Sequence, residues 1–354
     1  MKSNSEFEKK YKVNASRAKK MSRDVDIDED GNIIIKQGQF LVSTMTVARY
    51  AFVDGWILLL QPEVFTRKDN LGKMVLVKSY ISDKYPNNYS DCEKEKSIAN
   101  NFIMSELAKQ FLLQSAEYYN AVFEDCDELR KSENYKKQGN TRVRRINPGK
   151  RYFVTPSFLE DDEELIHLAD ILKNPEILRV SEMLKNIEEY LKVKHVYQED
   201  IEQIRKSFIK QCIFHKFIDF TDEHNFNSGL IISQRNGVLR ARYAPEYDLD
   251  FSAEVYNTIN GGIQPKVFYR ITDDGGFFLD DMLEQFKGEY EKEYLKEIIP
   301  TINIQETIKK GEENGNIKLS ERALRQYTRF FNEQIESLKK FYTRNYGIIN
   351  ENLR

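Results

Sequence analysis

Over roughly the first half of the chain, apolar residues alternate with polar ones or gather in runs of strand length; beyond it they recur at helical steps. Between residues 33 and 80 the segments IIIK, FLVSTMTV, WILLLQ and MVLVKSY are rich in β-branched and aromatic residues and are separated by Gly, Asp and Asn. That pattern predicts strands. In KMVLVK, alternation sends Val75 and Val77 to one face and Met74, Leu76 and Lys78 to the other. Over residues 92–113, Ile98, Ile103, Leu107 and Phe111 recur near the helical period, with Ala99, Phe102 and Ala108 beside them. Ser90 or Asp91 can cap this helix, and Glu93 and Glu95 fall in its first turn, where the dipole favours acids. Residues 117–123 read as a strand, residues 130–150 as a long polar loop, and residues 151–158 as a short strand ending at Pro156. Residues 163–172, 176–193, 198–217, 279–298 and 320–345 carry apolar positions at helical spacing. Pro300 fits a stop after the fourth of these, and Ser320 is an adequate N-cap for the last.

The pattern is therefore α+β, with a strand-rich first part and a mainly helical second part. The chain has 354 residues, 40% of them hydrophobic, which is enough for two domains or one large bilobal one. A net charge of −3 supplies no broad basic field, so direct nucleic-acid binding is not indicated. The three cysteines, Cys92, Cys126 and Cys212, are widely spaced and form no CxxC pair, as expected of free thiols in a reducing cytoplasm. No apolar run approaches the roughly 18 residues of a membrane span. The Lys- and Glu-rich start has no apolar core of a signal peptide. Abundant Lys, Ile, Asn and Tyr point to an AT-rich microbial, bacterial source.

Chemistry concentrates in residues 220–248, FTDEHNFNSGLIISQRNGVLRARYAPEYD. Asp222, Asn227 and Asp248 are the acid and amide inventory of a phosphotransferase: one carboxylate orients or deprotonates the attacking hydroxyl, while an amide and a second carboxylate hold Mg²⁺ against ATP phosphates. The spacing alone is weak, because Asp and Asn are also ordinary turn residues. The paired occurrence is stronger: TDEHNFN (221–227), then a hairpin signal at Asn236-Gly237, then RYAPEYD (242–248).

This order resembles the HipA-like serine/threonine kinases, in which a T-D-x-H-x-x-N loop is followed by a hairpin and L-A-P-x-Y-D. The resemblance implies a bilobal protein-kinase-like fold: an N-terminal extension over 1–32, an ATP-binding lobe over 33–155 and a helical lobe over 156–354. It implies an ATP- and Mg²⁺-dependent kinase with Asp222 as catalytic base, His224 in the same loop, and Asn227 and Asp248 as metal ligands. By the same analogy Lys78 contacts phosphate and Glu95, or Glu93, pairs with it. Strand 151–158 becomes the hinge, with Thr155 and Ser157 at the adenine. Each residue also has a plainer reading: Lys78 as a solvated strand end, the acids as complements to the helix dipole, His224 as a loop-packing residue. H-R-D and D-F-G are absent, which fits the HipA branch, and so are G-x-G-x-x-G and G-x-x-x-x-G-K-[ST]. Residues 14–19 and Ser43-Thr44-Met45-Thr46 are the candidate phosphate loops, and both depart from the family pattern.

The resemblance further implies a protein Ser or Thr as substrate and raises an antitoxin or regulatory protein as partner. Few residues precede Ile33, which favours a short stand-alone kinase. A small-molecule or lipid kinase, or a pseudokinase acting as a binding module, are the alternatives. Other motifs carry less. DIDEDGNI (26–33) matches half of an EF-hand loop, but position twelve would be Gln37 and a strand pattern follows, so a hairpin turn is expected. His167, His195, His215 and His224 lack metal-ligand spacing. Arg142, Arg144 and Arg145 read as a solvated insertion or a phosphate contact, Asp250 as a spare carboxylate, and the pairs Gly261-Gly262 and Gly275-Gly276 as turns.

Overall fold

A computed structural model describes residues 26, 28–30, 32–35, 40–42, 49–53, 56–60, 74–79, 91–123, 143–145, 152–156, 158–159, 162–172, 180–220, 227–235, 237–247, 249, 252–253 and 288–347. For residues 35, 40–42, 49–53, 56–60, 74–79, 91, 93–94, 123, 143–145, 152–154, 156 and 235 that description is of backbone alone. By contact the chain divides into two units: one of residues 1–84, 117–157 and 313–316, the other of residues 85–116, 158–312 and 317–354.

The first unit is built of strands. They are β1 (Ile33–Ile35), β2 (Phe40–Val42), β3 (Arg49–Val53), β4 (Trp56–Leu60), β5 (Met74–Ser79), β6 (Tyr119–Phe123), β7 (Val143–Arg145) and β8 (Tyr152–Pro156). One four-stranded sheet runs β1-β6-β8-β5 and another runs β2-β3-β4-β7. The segment expected as a loop over 130–150 thus contains a strand, β7, whose Arg144 pairs with Ile57 of β4. Polar composition suits an edge strand, which periodicity alone cannot tell from a loop. The expected turn before β1 is closed by Asp28, whose carboxylate accepts from the backbone N–H groups of Asp30 and Asn32 and from the Asn32 amide. Backbone bonds from Asp28 N to Asn32 O and from Ile34 N to Asp26 O complete the reversal. Short side-chain acceptors of this kind are why Asp initiates turns.

In the second unit are α1 (Asp91–Gln110), β9 (Glu163–His167), α2 (Leu168–Ile171), α3 (Val180–Val193), α4 (Gln198–Phe217), β10 (Gly229–Arg235), β11 (Val238–Tyr243), α5 (Glu289–Ile298), α6 (Ile304–Gly315, whose last residues group with the first unit) and α7 (Glu321–Tyr346). The expected helix over 163–172 is mostly strand: β9 pairs antiparallel with β10, Leu165 opposite Ile231, and only Leu168–Ile171 is helical. EELIHLADIL satisfies both periods, and the free edge of β10 decided between them. Helix α6 was not expected, although Ile304, Thr307 and Ile308 form a buried face at helical spacing. The other stops fall as read: Pro300 lies in a 3₁₀ turn after α5, and the Ser320 hydroxyl accepts from Ala323 N at 3.3 Å. No helix among the described residues is long and apolar enough to cross a membrane.

The core of this unit is aromatic. Phe111 packs on Phe214 and Phe217 with ring centroids 5.3 and 4.8 Å away, and Phe217 stacks on Phe331 at 5.8 Å. Helices α1 and α6 approach so closely that a Cβ on Gly311 would collide with the Ile103 side chain and lie 2.9 Å from its Cα. Gly311→Ala is therefore expected to destabilise the chain by about 1–3 kcal/mol, although Ala is favoured over Gly in a helix interior by about 1 kcal/mol. A lowered urea midpoint checks the sign.

Asp200 at the start of α4 holds β11. It accepts two bonds from Arg240 at 2.7 Å and one from Ala241 N at 3.0 Å. The Arg240 hydrogen bond, opposed by burial, keeps the Asp200 carboxyl below its usual range. A depressed carboxyl stabilises the fold above its ordinary value near about 4 and loses that contribution as pH falls through the folded value. Asp200→Asn should accordingly flatten the acid limb of stability, read from urea midpoints between neutral pH and about pH 3.

Candidate active site

In sequence, the candidate catalytic loop lies between the end of α4 and the start of β10. Helix α4 is closed by Ile218 N donating to Phe214 O at 2.9 Å and Phe220 N to His215 O at 2.9 Å, with Asp219 between them in the left-handed region at φ 49°. Phe220 meets the His215 ring edge-on at 4.9 Å. Asp222 and His224 follow and lie outside the described residues. The chain is described again at Asn227 and Ser228, both buried, with Ser228 O accepting from Leu168 N at 3.0 Å. Gly229 then opens β10, and a Cβ there would sit 2.7 Å from Ile166 O on β9. Glycine is required at this close approach, which seats Asn227 at the base of the hairpin.

The hairpin turns at Gly237, whose φ of 79° suits glycine, so the Asn-Gly signal corresponds to an observed turn. Strand β11 returns the chain to the start of β10, with Ala244 N donating to Gly229 O at 2.9 Å. Tyr247 is buried and stacks on Phe158 at 5.6 Å. Asp248 lies outside the described residues, but its neighbours Tyr247 and Leu249 are both fully buried. Beyond it, Ala253 N donates to Ile218 O at 2.7 Å, and Ala253 also occupies the left-handed region at φ 53°. Backbone bonds thus tie the end of α4 to the segment after Asp248 and the start of β10 to the segment before it. Left-handed conformations at Asp219 and Ala253 are unfavourable for non-glycine residues and persist only where surrounding structure enforces them.

Under this frame lies a buried polar network that the sequence reading did not pick out. Glu246 is 1% exposed; its carboxylate accepts from Gln211 Nε2 at 2.8 Å and meets His215 Nε2 at 2.7 Å. Tyr243 donates to Gln211 Oε1 at 2.6 Å, and burial raises its phenol well above the ordinary value. Glu246 is also tied through its backbone: Glu246 N donates to Gln114 O and Ala116 N to Glu246 O, each at 2.8 Å. The signal that could have found it is the charged residue inside APEYD, between positions that pack.

The remaining expected site residues are distributed as follows. Lys78 is in β5 with its backbone opposite Phe153, and its side chain lies outside the described residues. Thr155 is fully buried in β8, opposite Leu76, and Ser157 lies outside the described residues. Glu95 is on α1, where its carboxylate accepts from Ser320 N at 3.0 Å at the start of α7. The Glu93 side chain is outside the described residues. Sequence reasoning also missed Asn100 and Asn101, both 0% exposed, which stand on α1 amid its apolar positions. Asn101 Oδ1 accepts from Leu249 N at 2.9 Å, and Asn100 Nδ2 donates to Ser252 O at 2.8 Å. Two amides inside a hydrophobic stripe were the available signal, since buried polar groups are there to bond something.

No protein-family model matches the sequence, and no curated protein matches it. Among solved structures, the chain is similar to the Helicobacter pylori proinflammatory kinase CtkA, with a TM-score of 0.50 at 13% identity, over 84% of this chain and 94% of that one. The chain has a kinase-like fold. It also matches HipA of Shewanella oneidensis MR-1, solved with HipB and operator DNA, with a TM-score of 0.38 at 12% identity over 72% of this chain and 57% of that one.

Proposed function

We propose that the chain is an ATP- and Mg²⁺-dependent phosphotransferase that phosphorylates a Ser or Thr hydroxyl of a protein. The observation that carries this reading is that described residues flanking the motif are tied across the fold: the end of α4 to Ala253, Gly229 to Ala244, and α1 to Leu249. The kinase-like fold supports it. In this reading Asp222 accepts or orients the hydroxyl proton, and His224 packs within the same loop. Asn227 and Asp248 would hold Mg²⁺; both present oxygen donors, the ligand type this hard cation takes. Bound Mg²⁺ supplies charge neutralisation on the ATP phosphates. Lys78 is assigned to the phosphates and Thr155 and Ser157 to the adenine end, while Glu95 is available to the lysine only if it leaves Ser320.

The buried neighbours of the motif give the chain's own residues their task, which is positioning rather than covalent chemistry. A test is ATP turnover and autophosphorylation of the full chain, with and without Mg²⁺. Label on the chain that requires Mg²⁺ supports the reading. Absence of label together with absence of Mg²⁺-dependent ATP binding in a thermal-shift assay would mean that the fold serves binding instead.

A further inference from the structure

Helix α1 presents two adjacent amides to one short segment, and that segment is the one carrying Asp248. We infer that Asn101 is a positioning residue: its Oδ1, by holding Leu249 N–H, fixes the backbone next to Asp248. The inference rests on the kinase reading for what Asp248 does, but the anchoring is a property of this structure.

The geometry is specific. Leu249 N–H is buried, and Asn101 Oδ1 at 2.9 Å is the acceptor it finds. That bond fixes the orientation of the amide, because only the oxygen can receive an N–H. The other end, Asn101 Nδ2, is then buried with no hydrogen-bond acceptor among the described residues. A residue chosen for stability alone would not leave a donor in that state, since an unmet buried donor is unfavourable. Asn100 reinforces the anchor. Its Nδ2 holds Ser252 O, and its Oδ1 accepts from Tyr327 on α7 at 2.5 Å; the same hydroxyl donates to Lys96 O at 3.1 Å. Within the segment, Ser252 Oγ donates to Leu249 O at 3.0 Å. Its far end is held by Ala253 N on Ile218 O, in a left-handed conformation the segment would not adopt unaided. Both sides of the segment are therefore anchored, one to α1 and one to the end of α4. A metal-holding carboxylate needs this support, because ligand geometry must be kept to about 0.5 Å.

The test compares the full wild-type chain with Asn101→Ala, Asn101→Asp and Asp200→Asn. Amide hydrogen exchange of residues 247–253 is measured first, without nucleotide. Asn101→Ala should exchange there about tenfold faster. Asn101→Asp keeps an acceptor for Leu249 N–H and should retain wild-type protection. Turnover is then titrated with Mg²⁺ at fixed ATP. Asn101→Ala should need about 10–100-fold more Mg²⁺ for half-maximal rate, the range typical of outer-shell changes at metal sites. Asp200→Asn, which loosens β11 but touches neither α1 nor the segment, should lower the urea midpoint at neutral pH and leave the Mg²⁺ requirement unchanged. Unaltered exchange in Asn101→Ala, or equal loss of protection in Asn101→Asp, overturns the anchoring. In Asn101→Ala, a shifted urea midpoint with an unshifted Mg²⁺ requirement overturns the positioning role. A wild-type chain indifferent to Mg²⁺ overturns the kinase reading itself, a result visible before any variant is made.

Discussion

Asp222→Asn is expected to lower phosphoryl transfer by about 10²–10⁴-fold, and Asp248→Asn by about 10²–10³-fold, with little change in urea midpoint. Asn has the shape of Asp, so the substitutions remove charge and proton affinity while keeping volume. At Asp222 the lost function is orientation and deprotonation of the attacking hydroxyl; at about 1.4 kcal/mol per decade, the range corresponds to about 3–5 kcal/mol of transition-state stabilisation. At Asp248 the lost function is a formal charge facing Mg²⁺, so raising Mg²⁺ should recover part of the Asp248→Asn rate and none of the Asp222→Asn rate. Single-turnover transfer of labelled phosphate, measured across a Mg²⁺ series, separates the two. Equal activity in all three proteins would remove both residues from the chemistry.

Glu246→Ala is expected to be the most damaging substitution for stability among the described residues, by about 3–5 kcal/mol. The Glu246 and His215 side chains are 2% and 1% exposed, and Gln211 is 1% exposed. Removing the carboxylate strands Gln211 Nε2 and His215 Nε2 away from water, and it opens a cavity beside His215. The double variant Glu246→Leu with His215→Leu removes both partners of the pair and should be milder than the sum of the single changes, because replacing both ends of a buried pair by apolar groups is often nearly neutral. Urea unfolding of the two singles and the double closes the cycle. The site is expected to respond as well: the network joins α4, just before the candidate catalytic loop, to the residue next to Tyr247. Glu246→Gln, which keeps size and hydrogen bonding, should lose less stability than Glu246→Ala.

Much of the helical unit was legible in the sequence because its signals are local. The 3.6-residue period of α3 and α7 follows from burying one face of each helix, and the Ser320 cap and the turn at Pro300 depend on neighbours in sequence. The Asn-Gly hairpin was legible for the same reason, since Gly237 needs a positive φ. The order TDEHNFN, hairpin, APEYD was enough to expect a kinase-like fold. What stayed hidden was settled by partners distant in sequence. Glu163–His167 is a strand because β10 offered it an edge, although its own pattern allowed a helix. Gly311 stands inside α6 because the α1 backbone passes against it, a reason no local pattern shows. The bond from Ser320 N to the Glu95 carboxylate, more than two hundred positions away, has no counterpart in the local pattern. Asn100, Asn101, Gln211, His215 and Glu246 acquire their roles only through contacts across the fold. The sequence by itself determined periodicity, caps, turns and the inventory of chemical groups, because those depend on short-range sterics and hydrogen bonding. The tertiary structure alone decided which buried polar groups meet, because that depends on which distant surfaces the folded chain closes together.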